Sequence, residues 1–229
     1  MGKALHRYEM IADGDGIVVG LSGGKDSFTL LWMLKERLSR IPVDYRLVAV
    51  YVDPGFEDGF SDDLRRFWRD HGIEVRVEAT DFGVQAHGPE NRENPCFLCS
   101  RLRRQRLFEV ADELGFKKIA LGHHKDDIIE TLFMNMFYAG EISTMQPCQP
   151  FFQGHFTVIR PLAYTEEDDI RRFARQQAFP SFVNPCPSAS TSRRRAVKEM
   201  LHGFYRSNKK IKGNLFRAMH NVNQDYLLK

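Results

Sequence analysis

The chain has 229 residues, 42% of them hydrophobic and 28% charged, with a formal net charge of +3. That composition is globular and suffices for one sizeable core, and no stretch approaches the roughly 20 apolar residues of a membrane-spanning helix. No apolar signal segment follows Met1–Arg7, so a cytoplasmic protein is expected, in which four cysteines are thiols or metal ligands rather than structural disulfides.

In chain order, strand-like runs are expected at 17–21, 47–52, 73–78, 118–121 and 156–159. Helix-like runs lie between and after them, at 26–38, 61–70, 98–114, 126–138, 166–178 and 190–205. Residues 151–156 read as a short hairpin approach to the fifth strand, and Thr165 with Asp168 reads as a capping box. There is no internal repeat. Strands separated by helices predict βαβ units, hence an α/β fold with a parallel sheet.

The segment Gly20-Leu21-Ser22-Gly23-Gly24-Lys25-Asp26-Ser27 joins the first strand to the first helix. Backbone N–H groups of such a turn converge on one spot, and the positive end of the helix dipole points there. The glycines permit close approach, and Ser22 and Ser27 add hydroxyls. The spacing is not that of a Walker A loop. Two further motifs follow strands. In Val52-Asp53-Pro54-Gly55-Phe56, Asp53 either contacts a nucleotide or starts the turn. In Leu121-Gly122-His123-His124-Lys125-Asp126-Asp127, the adjacent carboxylates suit either Mg²⁺ or the helix dipole alone. In open α/β sheets ligands collect beyond the carboxyl ends of the strands, so the three motifs are expected to share one crevice.

Pro95-Cys96-Phe97-Leu98-Cys99 places two thiols at the spacing of a metal clip. One C-x-x-C is compatible with a redox pair, half a zinc site or two ligands of an iron–sulfur cluster. Cys186 is a candidate third thiolate and Cys148 a candidate fourth. Charge is unevenly placed: residues 188–229 carry ten Lys/Arg against two acids, +8, which leaves −5 for the rest. A second basic cluster, Arg101, Arg103, Arg104 and Arg106, follows the cysteine pair. Two such clusters point to a polyanionic partner such as RNA.

Ser-Gly-Gly-Lys-Asp-Ser resembles the PP-loop of the ATP pyrophosphatase superfamily. With Pro-Cys-Phe-Leu-Cys before an Arg-rich helix, and with Gly-His-His-Lys-Asp-Asp-Ile-Ile-Glu-Thr-Leu-Phe-Met-Asn-Met-Phe-Tyr, the chain is similar to the tRNA 2-thiocytidine synthetase group of that superfamily. The resemblance implies a Rossmann-like PP-loop fold over 1–187, with 188–229 as a basic helical extension of the same domain. It implies adenylation of C2 of a tRNA pyrimidine, cytidine 32 first among candidates, and replacement of the oxygen by sulfur. A 2-thiouridine enzyme and a non-catalytic nucleotide-binding iron–sulfur sensor are the alternatives. The implied site has Asp26, Asp127 and Arg103 in catalysis. ATP falls to Ser22, Gly23, Gly24, Lys25, Asp26, Ser27, Asp53, Gly122 and His123, and Mg²⁺ to Asp126 and Asp127. Cys96, Cys99 and Cys186 are implied as ligands of a [4Fe–4S] cluster, with Cys186 standing alone where family members often carry a second C-x-x-C. Arg101, Arg104, Arg193, Arg194, Arg195 and Lys198 are implied for RNA. The expected partners are tRNA and a sulfur donor, either sulfide or a cysteine desulfurase, and the expected assembly is a homodimer.

Overall fold

The computed structural model describes residues 1–183, 185–188 and 193–226. Its elements in order are α1 (Gly2–Arg7), β1 (Asp15–Leu21), α2 (Lys25–Leu38), β2 (Tyr45–Asp53), α3 (Ser61–Asp70), β3 (Val75–Ala79), α4 (Phe82–His87), α5 (Pro95–Glu113), β4 (Lys118–Ala120), α6 (Lys125–Tyr138), β5 (Cys148–Phe151), β6 (Phe156–Ile159), α7 (Glu167–Gln176), α8 (Arg193–Ser207) and α9 (Lys210–Ala218). The sheet order is β3-β2-β1-β4-β6-β5, parallel except for β5. Strand order reverses between β1 and β4, and the crevice expected at such a switch point opens beyond their carboxyl ends.

The period-2 geometry of β1 divides the core. Ile17, Val19 and Leu21 face one layer with Phe28, Leu31 and Leu34 of α2 and Trp68 of α3. Val18 faces the other with Leu107, Phe108, Val110 and Ala111 of α5. A third cluster joins Ile128 and Ile129 of α6 to Val197 and Leu201 of α8 and Phe216 of α9, so the basic tail is seated on α6. Among the described residues no helix is long and apolar enough to cross a membrane.

Several boundaries differ from expectation for local reasons. The third strand begins at Val75, not Ile73, because Ile73 N–H closes back on Trp68 O at 2.9 Å around Gly72, whose φ is +68°. That bond caps α3 and removes Ile73 from the ladder. The helix carrying Cys96 and Cys99 starts earlier than 98: Pro95 takes its first turn and Asn94 accepts the Phe97 N–H. The Thr165–Asp168 capping box does not form, since α7 starts at Glu167 and the Asp126 carboxylate caps it from α6 at 2.9 Å. Cys148, expected in a loop, lies in β5 opposite Ile159. The start of the helix expected at 190–205 falls outside the described residues, which resume at Arg193.

Candidate active site

The PP-loop motif folds as a closed turn. Ser22 N–H donates to Ser27 Oγ at 3.1 Å, and Ser27 Oγ donates to Gly24 O at 2.9 Å. Gly23 holds φ +77°, and a Cβ there would meet the Phe60 ring at 2.4 Å. Gly122 brings the second loop against the first: a Cβ on it would lie 2.9 Å from the Asp26 carbonyl carbon and the Ser27 nitrogen. Two sequence-distant loops thus touch backbone to backbone at the start of α2.

Between them is a pocket of about 300 Å³ lined by Ser22, Asp26, Ser27, Gly122, His123 and Asp127, and on its α5 side by Arg103 and Arg104. Asp26 Oδ1 and Arg103 Nε are both shut off from solvent and lack hydrogen-bond partners. A guanidinium N–H without an acceptor and a carboxylate, on the wall of one pocket, fit a bound anion with its counter-cation. Asp26 Oδ1 lies 3.1 Å from Lys25 Nζ and 3.7 Å from His124 Nε2. Lys25 also pairs with Glu167 at 3.2 Å. Burial pulls the Lys25 ammonium down, but Asp26 and Glu167 outweigh it and hold it above its usual range.

Asp127 faces the pocket, accepts the His124 N–H at 2.9 Å and takes Arg194 at 3.2 Å. His123 is pushed down to about 4 by burial and by Arg160, so it is neutral at physiological pH. Arg160 Nε donates to its Nδ1 at 3.3 Å, which leaves the ring proton on Nε2.

Two expected ligands are not brought to this pocket. Asp126 is buried; its Oδ2 caps α7 and its Oδ1 pairs with Lys212 at 2.7 Å. The carboxylates that do line the pocket are Asp26 and Asp127. Asp53 lies outside the wall and accepts the Gly55 N–H at 2.9 Å, the turn-starting alternative.

Cys96 and Cys99 occupy the first turns of α5 at i, i+3, on one face. Burial and the charge of Cys186 push the Cys96 thiol up. Burial likewise raises Cys99; Arg103 pulls it down, while Cys186 and Cys96 push it up. Cys186 thus acts on both Cys96 and Cys99. Cys148 instead senses Lys118 and Arg160. All four cysteines are free of disulfides. Among the described residues no three His, Cys, Asp or Glu side chains are already gathered to hold a metal ion. The donor chemistry, three soft thiols and no carboxylate, fits an iron–sulfur cluster or zinc rather than a hard cation.

A PP-loop domain model matches residues 3–222. The chain is 40% identical over 231 residues to a tRNA-cytidine(32) 2-sulfurtransferase of Geobacter sulfurreducens, spanning 100% of this chain and 90% of that protein. It is 46% identical over 212 residues to the protein of the same name from Azoarcus sp., spanning 90% and 68%. The chain belongs to the PP-loop family, in the group of the tRNA-cytidine(32) 2-sulfurtransferases. In fold it is similar to the U34-tRNA thiolase NcsA of Methanococcus maripaludis, solved with its [4Fe-4S] cluster, at TM-score 0.77 and 24% identity over 99% of this chain and 78% of that one.

Within this PP-loop chain several of the residues expected to form a basic surface meet acids or a ring of the chain itself. Arg194 reaches Asp127, Glu130 and Thr131, and Lys198 pairs with Glu167 at 2.8 Å. Arg195 pairs with Glu199, and Arg193 lies over the Tyr138 ring. Arg106 is held by Glu78, Glu109 and Glu113. Arg101 pairs with Glu93 at 3.4 Å, and Arg104 is exposed. Sequence reasoning missed Arg160, Glu130, Glu167 and Lys212. Burial pushes Glu130 up to about 7 against the pull of Lys198 and Arg194. A lone Arg after a strand and acids inside a helix carry no spacing signal. The Ile211, Leu215, Phe216 and Met219 periodicity, however, could have revealed α9 and with it Lys212.

Proposed function

We propose that the chain is an ATP-dependent tRNA sulfurtransferase that replaces the C2 oxygen of cytidine 32 with sulfur. The observation that carries the reading is the pocket at the β1–β4 switch point, whose wall holds the Asp26 and Asp127 carboxylates beside Arg103, a guanidinium whose Nε has no acceptor. Full-length similarity to the tRNA-cytidine(32) 2-sulfurtransferases supports the choice of substrate.

The α2 N-terminus and the Ser22–Ser27 turn receive the α and β phosphates, and Arg103 donates to the charge that grows as pyrophosphate departs. Asp26 and Asp127 would hold Mg²⁺, which would supply neutralisation of phosphate charge. The base's O2 attacks the α phosphorus; the O–P bond forms and the bond to pyrophosphate breaks. Hydrosulfide then adds at C2, the C2–O bond breaks, AMP leaves with the oxygen, and the S–H proton is lost to solvent as C2=S forms. Neutral His123 and Gly122 shape the floor on which the base edge is turned. Cys96, Cys99 and Cys186 would hold a [4Fe–4S] cluster, which would supply an iron able to bind sulfide for transfer. A cytoplasmic setting supplies the tRNA, with sulfide or a cysteine desulfurase as the sulfur source.

The test is an anaerobic reaction of reconstituted protein with ATP, sulfide and paired tRNA transcripts carrying C32 or U32, followed by nucleoside mass spectrometry. ATP-dependent 2-thiocytidine from the C32 transcript alone is the expected result. No thiolated nucleoside, or 2-thiouridine instead, overturns the assignment.

A further inference from the structure

A second concavity of about 630 Å³ lies between α5 and the tip that joins β5 to β6. Its walls are Phe108, Phe151, Phe152 and Phe156, with Arg101 and Arg104 along the α5 rim. Phe152 is 64% exposed, yet it is not loose. Its ring stands at 90° to Phe108 with centroids 5.1 Å apart, and at 83° to Phe156 at 6.1 Å. The backbone at Phe152 and Gln153 is left-handed, φ +51° and +57°, a conformation that costs free energy in residues with a Cβ. The tip thus keeps a large apolar ring in solvent at a cost.

Charge indicates what the ring meets. Arg104 is exposed, and no described acid pairs with it. The acids on the rim are already engaged: Glu109 with Arg106 at 2.9 Å and Asp112 with His155 at 3.3 Å. Arg104 also lines the pocket of the PP-loop, so the aromatic groove and the catalytic pocket meet across one guanidinium. A stacking face, adjacent cations and continuity with the nucleotide pocket are the chemistry of a single-stranded nucleic acid, whose bases stack on aromatics while its phosphates pair with arginine.

We propose that this groove binds unpaired nucleotides flanking the target base, with Phe152 as the stacking platform and Arg104 on the intervening phosphate. The proposal rests on the tRNA substrate argued above. It moves the principal RNA contact from the Arg193–Lys198 helix to the α5–hairpin face.

The experiment compares full-length wild-type protein, Phe152→Ala, Phe152→Trp and Arg104→Gln in fluorescence-anisotropy titrations. The probes are an anticodon stem–loop and a fully paired duplex of equal length, each across a salt series. Phe152→Ala should weaken stem–loop binding by about tenfold or more, leave duplex binding unchanged and keep the salt slope. Phe152→Trp should restore stem–loop affinity, which a general loss of folding would not allow. Arg104→Gln should lower the salt slope by about one phosphate contact. Undiminished stem–loop binding by Phe152→Ala, or equal loss for both RNAs, overturns the groove assignment. If the wild-type protein binds neither RNA, the tRNA substrate itself is wrong.

Discussion

Glu167 is the residue whose removal tests the architecture most directly. Its carboxylate, 6% exposed, is met by Lys198 at 2.8 Å, Arg171 at 2.8 Å and Lys25 at 3.2 Å, and so ties α7 to α8 and to the phosphate loop. Removing one partner of a buried pair costs about 3–5 kcal/mol. Here Lys25 and Lys198 are each about one-third exposed and recover part of their hydration, so Glu167→Gln should cost about 2 kcal/mol. Burial pushes this carboxyl up, but hydrogen bonds from Lys198 and Arg171 and the charges of Lys198 and Lys25 outweigh it and hold it well below its ordinary 4.5. A depressed carboxylate stabilises fully above the unfolded value and loses that contribution as pH falls through the folded one. The gap between wild type and Glu167→Gln should therefore stay constant from neutral pH down to about 5 and close progressively below it. Urea unfolding of both proteins across that range measures it. A neutral-pH gap below about 0.5 kcal/mol, or one that persists unchanged at pH 3, refutes the bridging role.

Other outcomes follow from the same contacts. Gly122→Ala forces a Cβ to within 2.9 Å of the α2 backbone and should destabilise by about 1–3 kcal/mol while slowing pyrophosphate release, read by calorimetry and a coupled phosphate assay. Asp26→Ala and Asp127→Ala should each abolish pyrophosphate release; normal rates in both would remove these carboxylates from the reaction. In an anaerobic Cys→Ala series, iron content and visible absorption should be lost at Cys96, Cys99 and Cys186 and retained at Cys148, which lies in β5 apart from the others' charges. Stoichiometric zinc without iron would replace the cluster.

The parallel sheet and the phosphate loop were legible because period and motif are local. Ser61–Asp70 was read to the residue, since apolar spacing and helix ends agree there. Boundaries slipped where a cap overruled propensity, as at Ile73, whose N–H goes to Trp68 rather than to a strand partner. Adjacent Asp126 and Asp127 read as one Mg²⁺ site, yet neighbours on a helix point about 100° apart, so one turns to the pocket and the other to α7 and Lys212. Cys96 and Cys99 read as a metal clip from their spacing, whereas a lone C-x-x-C leaves a third ligand unspecified and only the family resemblance singles out Cys186. The Phe151–Phe156 groove carried no motif at all; it exists because β5 folds back on β6 and sets its tip against α5.

The charge asymmetry of the chain takes a different meaning once the tail is in place. Asp126, Asp127, Glu130, Glu166 and Glu167 gather at the starts of α6 and α7, beside a site built for phosphates. Left alone they would repel both a triphosphate and an RNA backbone. The tail answers them one by one: Lys212 meets Asp126 and Glu166, Lys198 meets Glu167 and Glu130, and Arg194 meets Asp127 and Glu130. Part of the +8 segment is therefore an internal complement to the −5 body, and the remainder is open to a partner. Those three cations are committed, while Arg206, Lys209, Lys210 and Arg217 stay exposed on the tail. The exposed Arg104 beside Phe152 lies where the phosphate pocket and the aromatic groove join.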